Sequence, residues 1–245
     1  MKTIKKLYRS TYSGESVITN MTYEKGSWNF ERENVPNAVT NNQISNRAVI
    51  IGNGVSRSRF NLNVLKNHRG GLLGSAALQT YGCNAVYRDF APHFLVANGD
   101  SMIEELANSD YCNDHIVYTS AKPILDYPGK FYLIPQDPGW NAGALATYMA
   151  CFDGHKRVYL LGFDGIDDPS TGYNVYAGTR SYVAPSYGYN EDFWVQSMLE
   201  VFNTYSDVDF VRVMPTVSYR MPEAWKFLVN LRQIDYRQFA IEADL

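Results

Sequence analysis

Cysteine is scarce in this chain. Cys83, Cys112 and Cys151 are the only ones in 245 residues. An odd number at long spacings suggests neither a disulfide framework nor a CxxC metal site, and a reducing, cytoplasmic setting fits them best. Histidine numbers four, with none between Lys156 and the C-terminus. No apolar run approaches the ~18 residues of a membrane span. The opening MKTIKKLYRSTYSG has lysines but lacks the apolar centre of a signal peptide. The expectation is a soluble cytoplasmic protein with no membrane partner. Charged residues make up only 19% and the net charge is −3. That argues against a uniformly basic nucleic-acid-coating surface and leaves a local basic groove open. Hydrophobic residues reach 45%, enough to bury a core and to argue against disorder. The 19 tyrosines read first as packing that keeps a hydroxyl available.

One fingerprint is also missing a part. RAVIIGNGVSR, residues 47 to 57, runs an apolar strand into Gly52-Asn53-Gly54. The dinucleotide motif G-x-G-x-x-G requires a third glycine where Arg57 stands. The turn therefore belongs to some other kind of ligand site, or to none.

What is present divides the chain in two. Residues 1–46 alternate in short pieces broken at Ser13-Gly14 and Lys25-Gly26, then become polar around Pro36. They read as two or three antiparallel strands, a hairpin extension, followed by a linker. The extension offers a surface for a homo-oligomer. Residues 47–245 alternate strands and helices. Strands are expected at 48–51, 77–81, 93–97, 115–119, 131–134, 157–163 and 209–214. Helices are expected at 58–66, 101–108, 141–152 and 190–205, the last with Phe193, Met198, Val201 and Phe202 on one side. Pro222 opens a short helix; beyond it the pattern assigns nothing. Such alternation predicts an α/β fold with a doubly wound, mainly parallel sheet. Ligands of these sheets bind beyond the carboxyl ends of the strands, near a topological switch point.

Three asparagines fall on that edge. Asn53, Asn84 and Asn98 each follow a predicted strand, two of them beside glycine. Asparagine offers an acceptor and a donor, which suits a nucleobase, a ribose or a sugar hydroxyl. Gly52 and Gly54 would let backbone approach a ligand. The same residues are also the commonest turn formers. Asn141 stands at the start of helix 141–152, a natural N-cap, and the amides of Ala142, Gly143 and Ala144 would form an anion site.

Read in order, a strand ending in GNG, CN at the second strand end, an Asn at the third, a small-Gly helix start, the strand VYLLGFDG and a tyrosine-rich loop resemble a known pattern. It is that of the bacterial lipooligosaccharide sialyltransferases of glycosyltransferase family 42. The related clan with archaeal 6-hydroxymethylpterin pyrophosphokinase, and phage-encoded glycosyltransferase-like proteins, look similar too. The likeness spans about residues 47 to 215. It implies a Rossmann-like catalytic domain in which Asn53, Asn84 and Asn98 hold the nucleotide and donor sugar. Ala142-Gly143 stand where the family has Ser-Gly. In NVYAG, Tyr176 takes the place of the tyrosine that stabilises the leaving phosphate, with Tyr173 and Tyr182 nearby. Tyr189 stands where the family has its general-base histidine, and Gly139 lies near the place of a family arginine.

Glycosyl transfer needs stabilisation of the leaving phosphate and a base for the acceptor hydroxyl. Candidate bases are Glu191 and Asp192 beside Tyr189, and Asp100. As acids opening a helix, all three also have a purely structural role. Asp164 closes a strand and joins the donor-binding set, and Asp167 and Asp168 follow it. A magnesium site takes one or two carboxylates plus substrate phosphate, and this run permits one without requiring it. The expectation is no cofactor and no metal. Arg57 and Arg59 follow the GNG turn, where Arg57 would meet donor phosphate or acceptor; most such arginines, Arg212 included, sit on surfaces. The resulting reading is transfer of a sugar from a CMP- or UDP-linked donor to a hydroxyl, with a hydroxymethylated base of phage DNA among the acceptors. The alternatives are an ATP-dependent pyrophosphokinase or kinase on the same scaffold, and a non-catalytic nucleotide-binding module.

Overall fold

The computed structural model describes residues 2–9, 16–35, 45–68, 78–164, 174–182 and 191–245. Strands β1 (Lys2–Arg9), β2 (Ser16–Glu24) and β3 (Ser27–Asn34) form an antiparallel sheet in the order β1-β2-β3. Lys25 and Gly26 both take positive φ between β2 and β3, the backbone of a tight hairpin turn. Ile18 and Val35 are buried in a core cluster shared with the rest of the chain.

The second sheet has eight strands: β4 (Arg47–Ile51), β5 (Gln79–Cys83), β6 (Phe94–Val96), β7 (Ile116–Thr119), β8 (Tyr132–Leu133), β9 (Arg157–Leu161), β10 (Asp209–Met214) and β11 (Leu231–Asp235). Their order is β11-β10-β9-β4-β5-β6-β7-β8, and all pairings are parallel. The chain winds outward from β4 to β8, then returns to place β9 on the other side of β4. The switch point lies between β4 and β9. This is the doubly wound α/β fold that the alternation predicts, with three antiparallel strands where the extension reads as a hairpin.

Successive residues of β4 serve opposite faces. Ala48 and Ile50 pack with helices α4 (Ala142–Phe152) and α5 (Glu191–Thr204). Val49 and Ile51 pack with α1 (Asp100–Ala107), α2 (Tyr111–Asp114), α3 (Ala121–Asp126) and α6 (Tyr236–Ala243). Helix α4 is buried almost all round, which is why its residues are small or apolar on every side.

Several local expectations change. In place of a helix over 58–66 there are two 3-10 turns, Val55–Arg59 and Leu62–His68. Side chains compete with helix formation there: Asn61 Oδ1 accepts the Asn63 amide, and Asp164 takes the Ser56 amide. Phe193 is exposed, and Val195 joins Met198, Val201 and Phe202 on the buried side of α5. Strand β11 and helix α6 have little apolar signature. Their polar side chains are consumed by partners, as in the Arg212–Gln233 and Arg232–Glu242 bonds.

The switch point is closed by two glycines. The Gly52 amide donates to Leu161 O at 2.8 Å and the Gly54 amide to Gly162 O at 3.0 Å. A Cβ on Gly52 would lie 2.5 Å from Gly162 O. Gly162 itself has φ +76°, and a Cβ there would lie 2.9 Å from Gly52 O. Backbone on both sides leaves no flexible atom to yield. Gly52→Ala is therefore expected to lower stability by about 1–3 kcal/mol, read from urea unfolding midpoints at unchanged slope.

Toward the start of β9, the Tyr81 hydroxyl donates to Asp153 at 2.5 Å and lies 3.2 Å from His155 Nε2. Burial pushes the His155 imidazole down from 6.5 to about 4. The unfolded chain thus takes up a proton at a higher pH than the folded one. The stability is present above pH 6.5 and is lost as the pH falls through that window to about 4. The loss attributable to this group is about 3 kcal/mol. Urea unfolding across that range should show it as a pH-dependent difference between the native chain and His155→Gln.

Candidate active site

The carboxyl edge of the large sheet brings the strand-end asparagines together around the Tyr182 hydroxyl. Asn84 follows β5 directly with φ 49°, a left-handed conformation that asparagine tolerates better than most residues. Its Oδ1 accepts the Asn98 amide at 2.9 Å. Asn53 Nδ2 donates to the Tyr182 hydroxyl at 3.0 Å, which also meets the side chains of Asn84 and Asn174. Asn98 Nδ2 donates to Trp140 O at 3.0 Å, and Trp140 immediately precedes Asn141 and helix α4. One linkage runs from Asn84 through Asn98 and Trp140 to the start of α4, and the Tyr182 hydroxyl held by Asn53 lies beside Asn84. Burial raises the Tyr182 phenol above its ordinary range, so at neutral pH it is a hydroxyl and not a phenolate.

Helix α4 begins as expected. Asn141 is its N-cap, and Oδ1 accepts the Ala144 amide at 3.0 Å. The Ala142 and Gly143 amides belong to the first turn, whose N–H groups have no partner within a helix. A Cβ on Gly143 would crowd Asn141 Oδ1 at 3.1 Å and the Phe163 ring at 3.2 Å. Two polar atoms are left over: Asn53 Oδ1 and Asn141 Nδ2 are buried without a hydrogen-bond partner among the described residues. One is an acceptor and the other a donor. Leaving such a group unpaired costs about 1–3 kcal/mol.

The space left by Gly52 and Gly54 is filled by the chain itself. A Cβ on Gly54 would lie 2.5 Å from the Asp164 carboxyl. That carboxylate accepts the Ser56 amide at 2.7 Å and, through its other oxygen, the Ser56 hydroxyl. It holds the 3-10 turn carrying Arg57.

Arg57 is buried, with 4% exposure, and is no surface residue. Its Nε donates to Gly52 O at 2.7 Å. Its Nη2 reaches the Tyr176 hydroxyl at 2.6 Å and Asp89 at 3.2 Å. The Tyr176 hydroxyl in turn donates to Asp89 at 2.7 Å. Burial, then the bond to Asp89, keep that phenol well above its usual range. The hydroxyl expected at a leaving phosphate is engaged by Arg57 and Asp89. Tyr182, stacked 6.2 Å from Tyr176, stands among the asparagines. Arg212 is also fully buried; its five donors serve Phe163 O, Asp164 O, Arg220 O and Gln233. Both arginines bind backbone carbonyls, which the sequence pattern does not register.

Other members of the setting also escaped the sequence. Arg88 makes a forked pair with Glu105 of α1 at 2.5–2.9 Å, donates to Thr179 at 2.7 Å, and lies 5.5 Å over the Tyr176 ring. Ser181 donates to the same Glu105 at 2.6 Å. These contacts hold the 174–182 segment, and with it Tyr182, against the sheet edge. Asp137 precedes α4 in a Pro-Gly turn that reads as punctuation. Burial raises its carboxyl above the usual range, against the opposing bond from the Gly139 amide.

The remaining candidates are dispersed. Asp100 is exposed at the first residue of α1, with Gly99 as the N-cap in its place. Asp192 is exposed in the first turn of α5. Tyr189, Tyr173, Asp167 and Asp168 lie outside the described residues. Among the described residues no group of three or more His, Cys, Asp or Glu is arranged to hold a metal ion. Among the same residues no helix is long and apolar enough to cross a membrane.

No family model matches the chain, and no curated protein matches it. The likenesses to pterin pyrophosphokinases and to phage proteins find no support there. Among solved structures, the chain is similar to the monofunctional α-2,3-sialyltransferase Cst-I of Campylobacter jejuni, with a TM-score of 0.50 and 11% identity. The match covers 80% of this chain and 85% of that one. At that identity the similarity shows the fold alone, a Rossmann-like one.

Proposed function

We propose that this chain is a glycosyltransferase that takes a sugar from a CMP- or UDP-linked donor and passes it to a hydroxyl acceptor. The observation that carries the reading is that Asn84 and Asn98 are hydrogen-bonded in a line ending at the N-terminus of α4, with the Tyr182 hydroxyl held by Asn53 beside Asn84. The unpaired acceptor of Asn53 and donor of Asn141 suit the uncharged edge of a base or ribose. The first-turn amides of α4 place partial positive charge where a departing phosphate, keeping the electron pair of the broken sugar–oxygen bond, would gain negative charge. Tyr182, kept protonated, donates a hydrogen bond there without a change of charge. The acceptor hydroxyl needs one general base, for which Asp100, Asp192 and Tyr189 are the candidates the sequence supplies.

Calorimetric titration with CMP, UDP, GDP and their sugar conjugates tests the reading. Binding of one nucleotide class is expected, followed by slow hydrolysis of its sugar donor. Asn84→Gly keeps the left-handed backbone and removes only the side chain. It should weaken that binding about tenfold or more, the equivalent of one to two lost hydrogen bonds. Absence of binding to every nucleotide and nucleotide sugar overturns the proposal.

A further inference from the structure

All eight residues of β3 are exposed, and among the described residues β3 pairs only with β2. Among the described residues nothing pairs with its outer edge, a row of backbone donors and acceptors of the kind that folded proteins cover or block with charge. The strand reads Ser-Trp-Asn-Phe-Glu-Arg-Glu-Asn. Trp28 and Phe30 lie on one face and are 42% and 62% exposed, beside Tyr23 at 41%. Trp28 packs against Tyr23 with ring centroids 5.1 Å apart. The opposite edge strand, β1, is KTIKKLYR, with four basic residues and no acid. A basic edge of that sort repels a copy of itself. Strand β3 carries charges of both signs, Glu31, Arg32 and Glu33, and so has no like-charge barrier of that kind.

We propose that β3 pairs antiparallel with β3 of a second copy of this chain, about a twofold axis through Phe30. Side-chain alternation restricts the registers that keep both aromatic faces on the same side. Centring the axis on Phe30 overlaps residues 27–33. Phe30 then opposes Phe30, Trp28 opposes Arg32, Asn29 opposes Glu31 and Ser27 opposes Glu33. No like charges meet, and each Arg32 faces an indole, a favourable cation–π partner. The alternative of equal overlap, centred on Glu31, sets Glu31 against itself. Centring on Arg32 opposes Arg32 to Arg32 and Glu31 to Glu33. The charges of β3 therefore complement β3 itself in one long register. The result is a continuous six-stranded sheet with the Tyr23, Trp28 and Phe30 patches merged, closed by the commonest symmetry of protein oligomers.

Light scattering of the full chain during gel filtration, over a range of concentrations, is expected to give twice the mass of one chain. Phe30→Glu places two carboxylates on the axis and should halve that mass while the circular dichroism of the folded chain is retained. Phe30→Cys should form a disulfide-linked dimer under oxidised glutathione, because the axis brings the two thiols together. Glu31→Cys should not. The native cysteines are all buried and do not interfere. If Phe30→Glu fails to fold, the two cysteine variants decide. A single-chain mass at every concentration overturns the proposal, and so does cross-linking at position 31 in place of 30. Growth beyond the dimer overturns it as well, and would indicate head-to-tail pairing of basic β1 with acidic β3.

Discussion

The contact on which the rest of this structure depends is the crossing of two backbones at Gly52 and Gly162. Neither position has room for a side chain, because each would drive a Cβ into the other's carbonyl oxygen. The crossing lies between β4 and β9, where the winding of the sheet reverses, and it is held by two buried guanidiniums. Arg57 binds the carbonyl of Gly52, and Arg212 binds those of Phe163 and Asp164. Asp164 then closes the circuit by holding the turn that carries Arg57. Burying a cation is costly unless its donors are satisfied, and here a set of fixed carbonyls meets them. The strand ends are thereby made rigid before any ligand arrives.

That rigidity gives the asparagines a defined geometry. Each is short, and each side chain is tied at one end: Asn84 to the Asn98 amide, Asn98 to Trp140, Asn53 to Tyr182. A polar cluster of this kind is informative only when its members are satisfied, since partly satisfied networks are costly. The two exceptions, Asn53 Oδ1 and Asn141 Nδ2, stand out against that background. The segment 174–182 completes the arrangement through a different force, the forked Arg88–Glu105 pair. Side-chain exposures of 22% and 13% leave that pair less screened by solvent than an exposed one.

Much of the sheet was legible in the sequence because parallel strands buried on both faces are continuous apolar runs. AVII, RVYLL and DFVRVM show it plainly. Strand β11 did not, because an edge strand whose polar groups pair with Arg212 and Glu242 has no such run. The helix expected over 58–66 failed for a related reason. Asn61 and Ser56 bond locally or to Asp164, and periodicity counts apolar positions without weighing that competition. Of the site, the strand-end asparagines were legible as turn residues at the right edge. The burial of Arg57, the partner of Tyr176 and the Arg88–Glu105 fork were not, since they join residues 17 to 119 positions apart.

The sequence by itself determined the α/β winding, the separate N-terminal strands and the placing of three asparagines at strand ends. Those follow from local patterns, apolar runs and Gly-Asn turns, which need no knowledge of what packs against them. Only the tertiary structure decided that Tyr182 and not Tyr176 sits among the asparagines, and that Arg57 braces the turn it follows. Those outcomes depend on which distant donor or acceptor reaches a buried group, and a buried polar atom takes its role from the partner that satisfies it.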